Sequence, residues 1–291
     1  MKENDYNTTM KVSYASIIIN FILSAFKFIA GIIGKSSAMI SDAVHSLSDV
    51  LSTIIVIIGI RFSNKKSDDT HQYGHERFES IATLFLSMIL LVTALGIGYT
   101  GTSKIIDGIN GNIKVPTLIA LIASIISIIV KEWMYQITKK VAKKVNSSAL
   151  LADAWHHRSD ALSSIGSLIG IVGAQMGLPI LDPIMSIIIC LFILKVALEI
   201  LIDSIYKLVD KACDEKTIEK MTILINNIDG VLKLDLLQTR LFGSKIYVDV
   251  EVSVDKNKTL EESHRIAHLI HDDIENNFIN VKHCMVHVNP K

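Results

Sequence analysis

Six runs of mostly apolar residues dominate the sequence up to about residue 208. An α-helix needs about 20 apolar residues to cross the hydrocarbon core of a bilayer, because it rises only ~1.5 Å per residue. Runs of this length therefore predict an all-α transmembrane domain of six helices over residues 1–208. They cover Val12–Gly34, Ala38–Ile60, Ile81–Gly101, Val115–Ile137, Ser147–Leu178 and Ile184–Ile202.

The sequence becomes more polar near Lys211, where the long apolar runs stop. Two stretches with helical periodicity and three with strand-like alternation follow, and Phe242-Gly243-Ser244 has the composition of a turn. This mixture predicts a C-terminal α+β domain over residues 209–291. The predicted helices are Thr217–Ile228 and Leu260–Asn276, and the predicted strands are Val231–Thr239, Lys245–Val254 and Asn280–Val288.

Basic residues cluster in two of the connections between the apolar runs, after the second run and after the fourth. Cytoplasmic loops carry an excess of Lys and Arg, so we expect these two loops and both termini to lie in the cytoplasm of a multi-pass protein of the cell membrane. The formal net charge is +0, which argues against nucleic acid as a partner. The basic residues are Arg61, Lys65, Lys66 and Arg77, and then Lys139, Lys140, Lys143 and Lys144.

A nine-residue pattern occurs twice inside the apolar runs, over residues 41–49 and 152–160, with five of nine positions identical. Both copies contain D-x-x-H-x-x-x-D. Ionisable side chains are costly at membrane depth, so they normally face an interior cavity and carry function. Three runs in each half place the two copies in opposite orientations, which is consistent with an inverted repeat whose site lies near the middle of the membrane.

The spacing in each copy predicts a metal site. His45 and Asp49, like His156 and Asp160, are four residues apart and therefore share one helix face. Two such faces offer two imidazoles and two carboxylates, a tetrahedral set that suits Zn²⁺ and tolerates Cd²⁺, Co²⁺ or Fe²⁺. The alternative is that four polar side chains hydrogen-bond one another inside a helical bundle. A duplicated pair favours the metal.

The first aspartate of each copy lies beside the predicted site, on a path by which ions reach or leave it. In the predicted topology Asp42 lies on the outer side of His45, and Asp153 lies on the cytoplasmic side of His156. We therefore expect Asp153 to help ions enter and Asp42 to help them leave. A structural or helix-capping carboxylate is the alternative at each position.

These features resemble the cation diffusion facilitator family, whose members export divalent metals in exchange for protons. The resemblance rests on the six helices, on the duplicated H-x-x-x-D pair, on the loop from Asp68 to His75 and on the C-terminal domain. It implies a homodimer with one transport site per protomer, at His45, Asp49, His156 and Asp160. It also implies a ferredoxin-like or metallochaperone-like cytoplasmic domain, and a charge interlock between Arg77 and Asp210.

The loop after the second run has the chemistry of another metal site. Asp68, His71 and His75 offer a carboxylate and two imidazoles, and the histidines have the i, i+4 spacing of a helical metal pair. The family uses the corresponding loop as a peripheral metal site. A solvated polar loop is the alternative.

The resemblance further implies a metal site in the C-terminal domain. The matching residues are Asp235, Asp249, His264 and His287. Asp235 and Asp249 stand where some zinc exporters have histidine, and Asn289 stands where the family has aspartate, which favours a mononuclear site over a binuclear one. His268 and His271 continue the helix face of His264, so substitution as metal ligands is one interpretation of them, and a role as ordinary surface histidines is the favoured one.

Two other classes of function compete with transport. An intramembrane metalloenzyme needs an open metal position and a general base, typically H-E-x-x-H, which the sequence lacks, so no enzyme activity is expected. The second competing class is a membrane metal sensor in which the C-terminal domain receives the signal. A proton-coupled exporter of Zn²⁺ fits best, with Fe²⁺, Mn²⁺ or Cd²⁺ as alternative cargo of the same family.

Overall fold

The described residues of this computed structural model, 3–33, 37–107, 118–176 and 181–291, form helices first and a mixed α/β arrangement afterwards. The chain divides into two compact units, Met1–Ser204 and Ile205–Lys291. The order of elements confirms the predicted fold class. The elements are α1 (Glu3–Ile33), α2 (Ser37–Ser63), α3 (Arg77–Asp107), α4 (Leu118–Val145), α5 (Ser148–Gln175), α6 (Leu181–Leu208), α7 (Glu215–Asn226), β1 (Lys233–Phe242), β2 (Lys245–Val254), α8 (Leu260–Asn277) and β3 (Val281–Pro290).

Most of the long helices extend beyond the apolar runs that predicted them. Helix α1 begins at Glu3, well before the apolar run, and α4 continues through Lys143 and Lys144 to Val145. Within the described ranges, Asn4–Ala30 and Arg77–Ser103 are long and apolar enough to cross a membrane by length and composition, and the first lies near the N-terminus. Helices α4 and α5 carry charged residues near their middle, which lowers their apolar character.

The first unit buries many polar side chains and exposes many large apolar ones. Helix α1 packs against α2 and α4, α4 against α5, and α3 against both α2 and α5. The inner face of α1 is polar at helical spacing, whereas large apolar side chains such as Phe21, Ile29 and Val92 are exposed. This distribution is typical of a helical bundle in a lipid bilayer, because polar side chains in a membrane face the interior of the bundle. The buried polar residues of α1 are Thr9, Ser13, Ser16, Asn20, Ser24 and Lys27.

Close helix packing fixes the positions of α2, α3 and α6. Gly59 allows α2 to approach α3, because a Cβ atom at this position would collide with the Cβ of Ala82. Further along α3, Leu90 packs in an apolar cluster with Ile189 and Ile193 of α6. Small residues let helix backbones approach closely in membranes.

The second unit is a three-stranded sheet covered by helices. Strand β2 is central, antiparallel to β1 and parallel to β3. Alternate residues Val248, Val250 and Val252 of β2 are buried in one apolar core with the α8 residues Ile266 and Ile270. Alternation along β2 thus gives the sheet one face toward the helices and one face away from them.

Candidate metal sites

Three of the four predicted transport ligands converge in the interior of the first unit. Helix α2 supplies Asp49, and α5 supplies His156 and Asp160 one turn apart. The Nε2 atom of His156 lies 3.3 Å from Asp49 Oδ1, and one ligand atom from each residue lies within 4.8 Å of the others. All three side chains are buried. A tetrahedral site with bonds of about 2 Å has edges of about 3.3 Å, so small movements would allow one ion to bind all three.

A lysine that sequence analysis missed lies between the two carboxylates. Lys131 of α4 donates from Nζ to Asp49 Oδ2 at 2.5 Å and to Asp160 Oδ2 at 2.9 Å. Its side chain is 2% exposed. The available signal was a single lysine inside the fourth apolar run, because an ionisable residue at membrane depth is itself a functional candidate.

The Lys131 ammonium balances charge that would otherwise be costly to bury. Removing one partner from a buried ion pair leaves an uncompensated charge, and a hydrogen bond to a charged group is worth about 1.5–3 kcal/mol. The two carboxylates are thus held together by a positive group that belongs to the chain. A divalent ion that bound the Oδ2 atoms of both aspartates would have to displace this group, because Lys131 contacts those two atoms.

The other ionisable residues of the duplicated pattern lie on α2 and α5 as predicted. His45 and Asp42 lie on α2, but their side chains are outside the described residues. Asp153 is fully buried, accepts a hydrogen bond from Thr53 Oγ1 at 3.2 Å, and lies 3.6 Å from His157 Nε2. The predicted roles of Asp42 and Asp153 as access carboxylates stay predictions.

The predicted loop residues also converge. Asp68 Oδ2 lies 3.4 Å from His75 Nε2, Asp68 Oδ1 lies 3.5 Å from His71 Nδ1, and the two imidazole rings are 4.4 Å apart. The physical reason differs from the helical spacing that the sequence indicated, because α3 begins only at Arg77. A turn at Gly74, whose φ of 99° favours glycine, brings the histidines together instead.

The loop carboxylate is ionised and already has a cation beside it. Lys65 hydrogen-bonds Asp68 Oδ2 at 2.6 Å, and Thr70 hydrogen-bonds Oδ1, so the pKa of Asp68 lies below its usual range. His75 Nδ1 donates to the carbonyl oxygen of Lys66 at 3.1 Å, which leaves Nε2 as the nitrogen that faces Asp68. An orienting bond of this kind is common at metal-binding histidines.

The predicted C-terminal set is spread over four elements of the second unit, one residue on each of β1, β2, α8 and β3. Asp249 and His287 share the sheet face away from α8, since Asp249 pairs with Met285, two residues before His287. Asp235 accepts from Ser253 at 2.5 Å, and this bond, with Lys233, lowers the pKa of Asp235 to about 2. His264 lies on α8 and is exposed.

No three of these four residues, all of them described, have ligand atoms within 4.8 Å of one another. One chain therefore does not bring the predicted C-terminal set together, and this site stays a prediction. The charge interlock also stays a prediction, because Arg77 belongs to the first unit and Asp210 to the second.

Comparison with known families gives matches to both parts of the chain. The family described as cation efflux transmembrane domain matches residues 13–209. The family described as cation efflux protein, cytoplasmic domain, matches residues 213–291.

Curated relatives match over almost the whole chain. An uncharacterized transporter of Methanocaldococcus jannaschii is 38% identical over 94% of this chain and 95% of its own length. The manganese efflux system protein MneP of Bacillus subtilis is 33% identical over 96% of this chain and 95% of its own. Metal tolerance protein C1 of Arabidopsis thaliana is 32% identical over 92% of this chain and 59% of its own.

Proposed function

Because the chain belongs to the cation diffusion facilitator family of divalent-metal transporters, we propose that it exports Zn²⁺ from the cytoplasm in exchange for protons. The observation that carries this proposal is the buried convergence of Asp49, His156 and Asp160 on two helices. His45, one turn before Asp49 on α2, is proposed as the fourth ligand. The protein is proposed to be multi-pass, with both termini in the cytoplasm.

The donor set supports Zn²⁺ as cargo. Two imidazoles and two carboxylates form a borderline set, whereas Mn²⁺ is served best by oxygen donors. Mn²⁺ is the second candidate, because MneP and a second manganese efflux protein of Bacillus subtilis, MneS, are 33% and 36% identical to this chain. Both candidates use the same site.

The proposed exchange follows from the chemistry of the ligands. Imidazole nitrogens and carboxylates must lose protons to bind a metal, so protons compete with the ion for His156 and the two aspartates. Histidine titrates near physiological pH, and a more acidic outer side therefore favours metal release there. A closed set of ligands holds its ion too firmly for a channel, which favours alternating access.

Lys131 is proposed to occupy the site whenever metal is absent. Its ammonium contacts both carboxylates, so the empty site can change its orientation without two bare negative charges in the bilayer. When the metal arrives, the long lysine side chain moves aside. The chain thereby carries its own counter-cation for the return step.

The remaining predicted residues are proposed to assist transport. Asp153 and Asp42 serve as access carboxylates, and Asp68 with His71 and His75 forms a peripheral site in the loop. Residues 209–291 are proposed to form the dimerising cytoplasmic domain. The proposed assembly is a homodimer in which Arg77 and Asp210 form a charge interlock, and Asp235, Asp249, His264 and His287 supply metal ligands.

The exchange is tested by Zn²⁺ flux in proteoliposomes with an imposed pH gradient. We expect Zn²⁺ transport to accelerate as the side that receives the metal is made more acidic, over a range centred near the ordinary histidine pKa of about 6.5. Vesicles without a gradient and protein-free vesicles are the controls. Flux that ignores the gradient would leave facilitated diffusion, and an absence of flux of any divalent ion would overturn the transport proposal.

Cargo choice is tested at His45. The variant His45→Asp replaces one imidazole with a carboxylate, so the site becomes richer in oxygen and more favourable for Mn²⁺. We expect the ratio of Mn²⁺ to Zn²⁺ uptake to rise by at least about 10-fold, which corresponds to ~1.4 kcal/mol. The measurement is competitive uptake at fixed pH, with His268→Asp on the surface of α8 as control. An unchanged ratio with both ions still moving would exclude His45 as a determinant of cargo.

A further inference from the structure

A third cluster of metal-ligating side chains lies in the C-terminal unit, where α8 meets β3. His271 and Glu275 are one turn apart on α8, and His283 is on the edge strand β3. One ligand atom from each of the three lies within 4.8 Å of the others. None of the three belongs to the set that the family resemblance implied for this domain.

The distances within this cluster fit a metal ion. Glu275 Oε1 lies 3.3 Å from His271 Nε2 and 3.5 Å from His283 Nδ1. A tetrahedral ion with bonds of about 2 Å separates its ligand atoms by about 3.3 Å. The two distances to Glu275 are therefore already close to the spacing that a bound ion requires, and all three ligand atoms lie within 4.8 Å of one another.

Hydrogen bonds to the backbone of Cys284 orient the side chains of His271 and Glu275. A carbonyl oxygen can only accept, so the contact of 2.7 Å between His271 Nδ1 and Cys284 O requires Nδ1 to carry the proton. The lone pair of His271 then lies on Nε2, the atom nearest Glu275. The backbone N–H of Cys284 donates to Glu275 Oε1 at 3.1 Å. Metal-binding histidines are usually oriented by a bond of this type.

We propose that His271, Glu275 and His283 bind a divalent transition-metal ion such as Zn²⁺ and thereby tie the C-terminal part of α8 to the edge of β3. The side chains are 33%, 31% and 47% exposed, so an ion reaches them from solvent and water completes its coordination. The Cys284 thiol is not part of this cluster, because its side chain is buried in the apolar core of the unit.

This site is separate from the proposed transport function. It uses no residue of the first unit. The experiments can therefore tell a failure of the α8–β3 metal site from a failure of transport. The competing role is structural. An edge strand leaves backbone N–H and C=O groups without a strand partner, and His271 and Glu275 hydrogen-bond those groups of Cys284 on β3.

The test uses the full chain in detergent, with Zn²⁺ alone as the probe. Hydrogen exchange of the segment 271–284 reports on this site, and equilibrium dialysis counts the ions bound per chain. In the wild type we expect Zn²⁺ to slow exchange in this segment. In His283→Ala and Glu275→Gln we expect the Zn²⁺ concentration for half-maximal protection to rise at least ~100-fold, since changes to outer partners alone cost about 10–100-fold. One ion fewer should bind per chain.

Two features of the variants keep the result interpretable. Glu275→Gln retains an oxygen that accepts from Cys284 N–H, so a purely structural role survives this change while metal binding does not. The matched control is His268→Ala, because His268 pairs with Asp272 at 3.0 Å with the same i, i+4 spacing and has no third ligand among the described residues. We expect this variant to behave as the wild type. Unchanged protection and ion count in His283→Ala and Glu275→Gln would overturn the proposal, as would their loss in His268→Ala alone.

Discussion

Metal flux is expected to fall by at least ~100-fold when Asp160 is replaced by alanine. The variant loses one proposed ligand and one of the two carboxylates that Lys131 contacts. Changes to partners outside the coordination shell already cost about 10–100-fold in affinity or activity, and loss of a direct ligand costs at least as much. Water is a poor substitute for a carboxylate, because the ion must be partly stripped of water to cross the lipid.

The measurement is initial Zn²⁺ flux into proteoliposomes at matched protein density. The control variant is Glu199→Gln, which removes an exposed carboxylate of α6 that lies 3.9 Å from Lys195, and we expect it to transport as the wild type. Size-exclusion chromatography and circular dichroism check that Asp160→Ala remains folded. Flux at the wild-type rate in folded Asp160→Ala would remove this residue from the transport site.

The order and type of the elements were predictable from the sequence, because period and length specify them. Strand β2 was predicted at its observed bounds, Lys245–Val254, since its alternate residues face the core. The ends of several helices were less predictable from the sequence. Hydropathy locates the part of a helix that contacts lipid, whereas hydrogen bonding continues α4 into a basic stretch that ends at Val145.

The candidate sites were predictable only where their residues follow a short repeat. The H-x-x-x-D spacing pointed to His156 and Asp160, because residues one turn apart must share a face. Lys131 could not be paired with Asp49 in this way, since 82 positions separate them and only the packing of α4 on its neighbours brings them together. A sequence indicates that such a lysine needs a partner but does not specify which one.

The C-terminal unit illustrates the same limit. His271 and Glu275 are one turn apart, but the third member, His283, comes from a strand whose position depends on the short connection after α8. The sequence favoured a surface position for His271. In the structure its Nδ1 contacts the backbone of Cys284, a contact that spacing within one helix cannot predict.

Replacing Lys131 by methionine is expected to tighten metal binding and slow transport. In the wild type an incoming ion must displace an ammonium that hydrogen-bonds both carboxylates. A hydrogen bond to a charged group contributes about 1.5–3 kcal/mol, so removal of a competitor worth one such bond should lower the Zn²⁺ dissociation constant by about 10- to 100-fold. Maximal flux should fall by a similar factor, because the ion then leaves more slowly and the empty site returns with two unbalanced carboxylates.

The two effects are separated by equilibrium binding and by flux at saturating Zn²⁺. Lys131→Arg keeps the positive charge and should bind metal about as weakly as the wild type. The matched control is Lys139→Met, two turns further along α4, where Nζ donates to Tyr135 Oη at 2.6 Å and has no hydrogen bond to Asp49, His156 or Asp160. We expect its affinity and flux to be unchanged. Methionine removes the charge and keeps an unbranched side chain, so tighter binding would come from the lost ammonium. If Lys131→Met binds Zn²⁺ with wild-type affinity, the lysine does not compete with the metal, and its contacts with Asp49 and Asp160 serve only the fold.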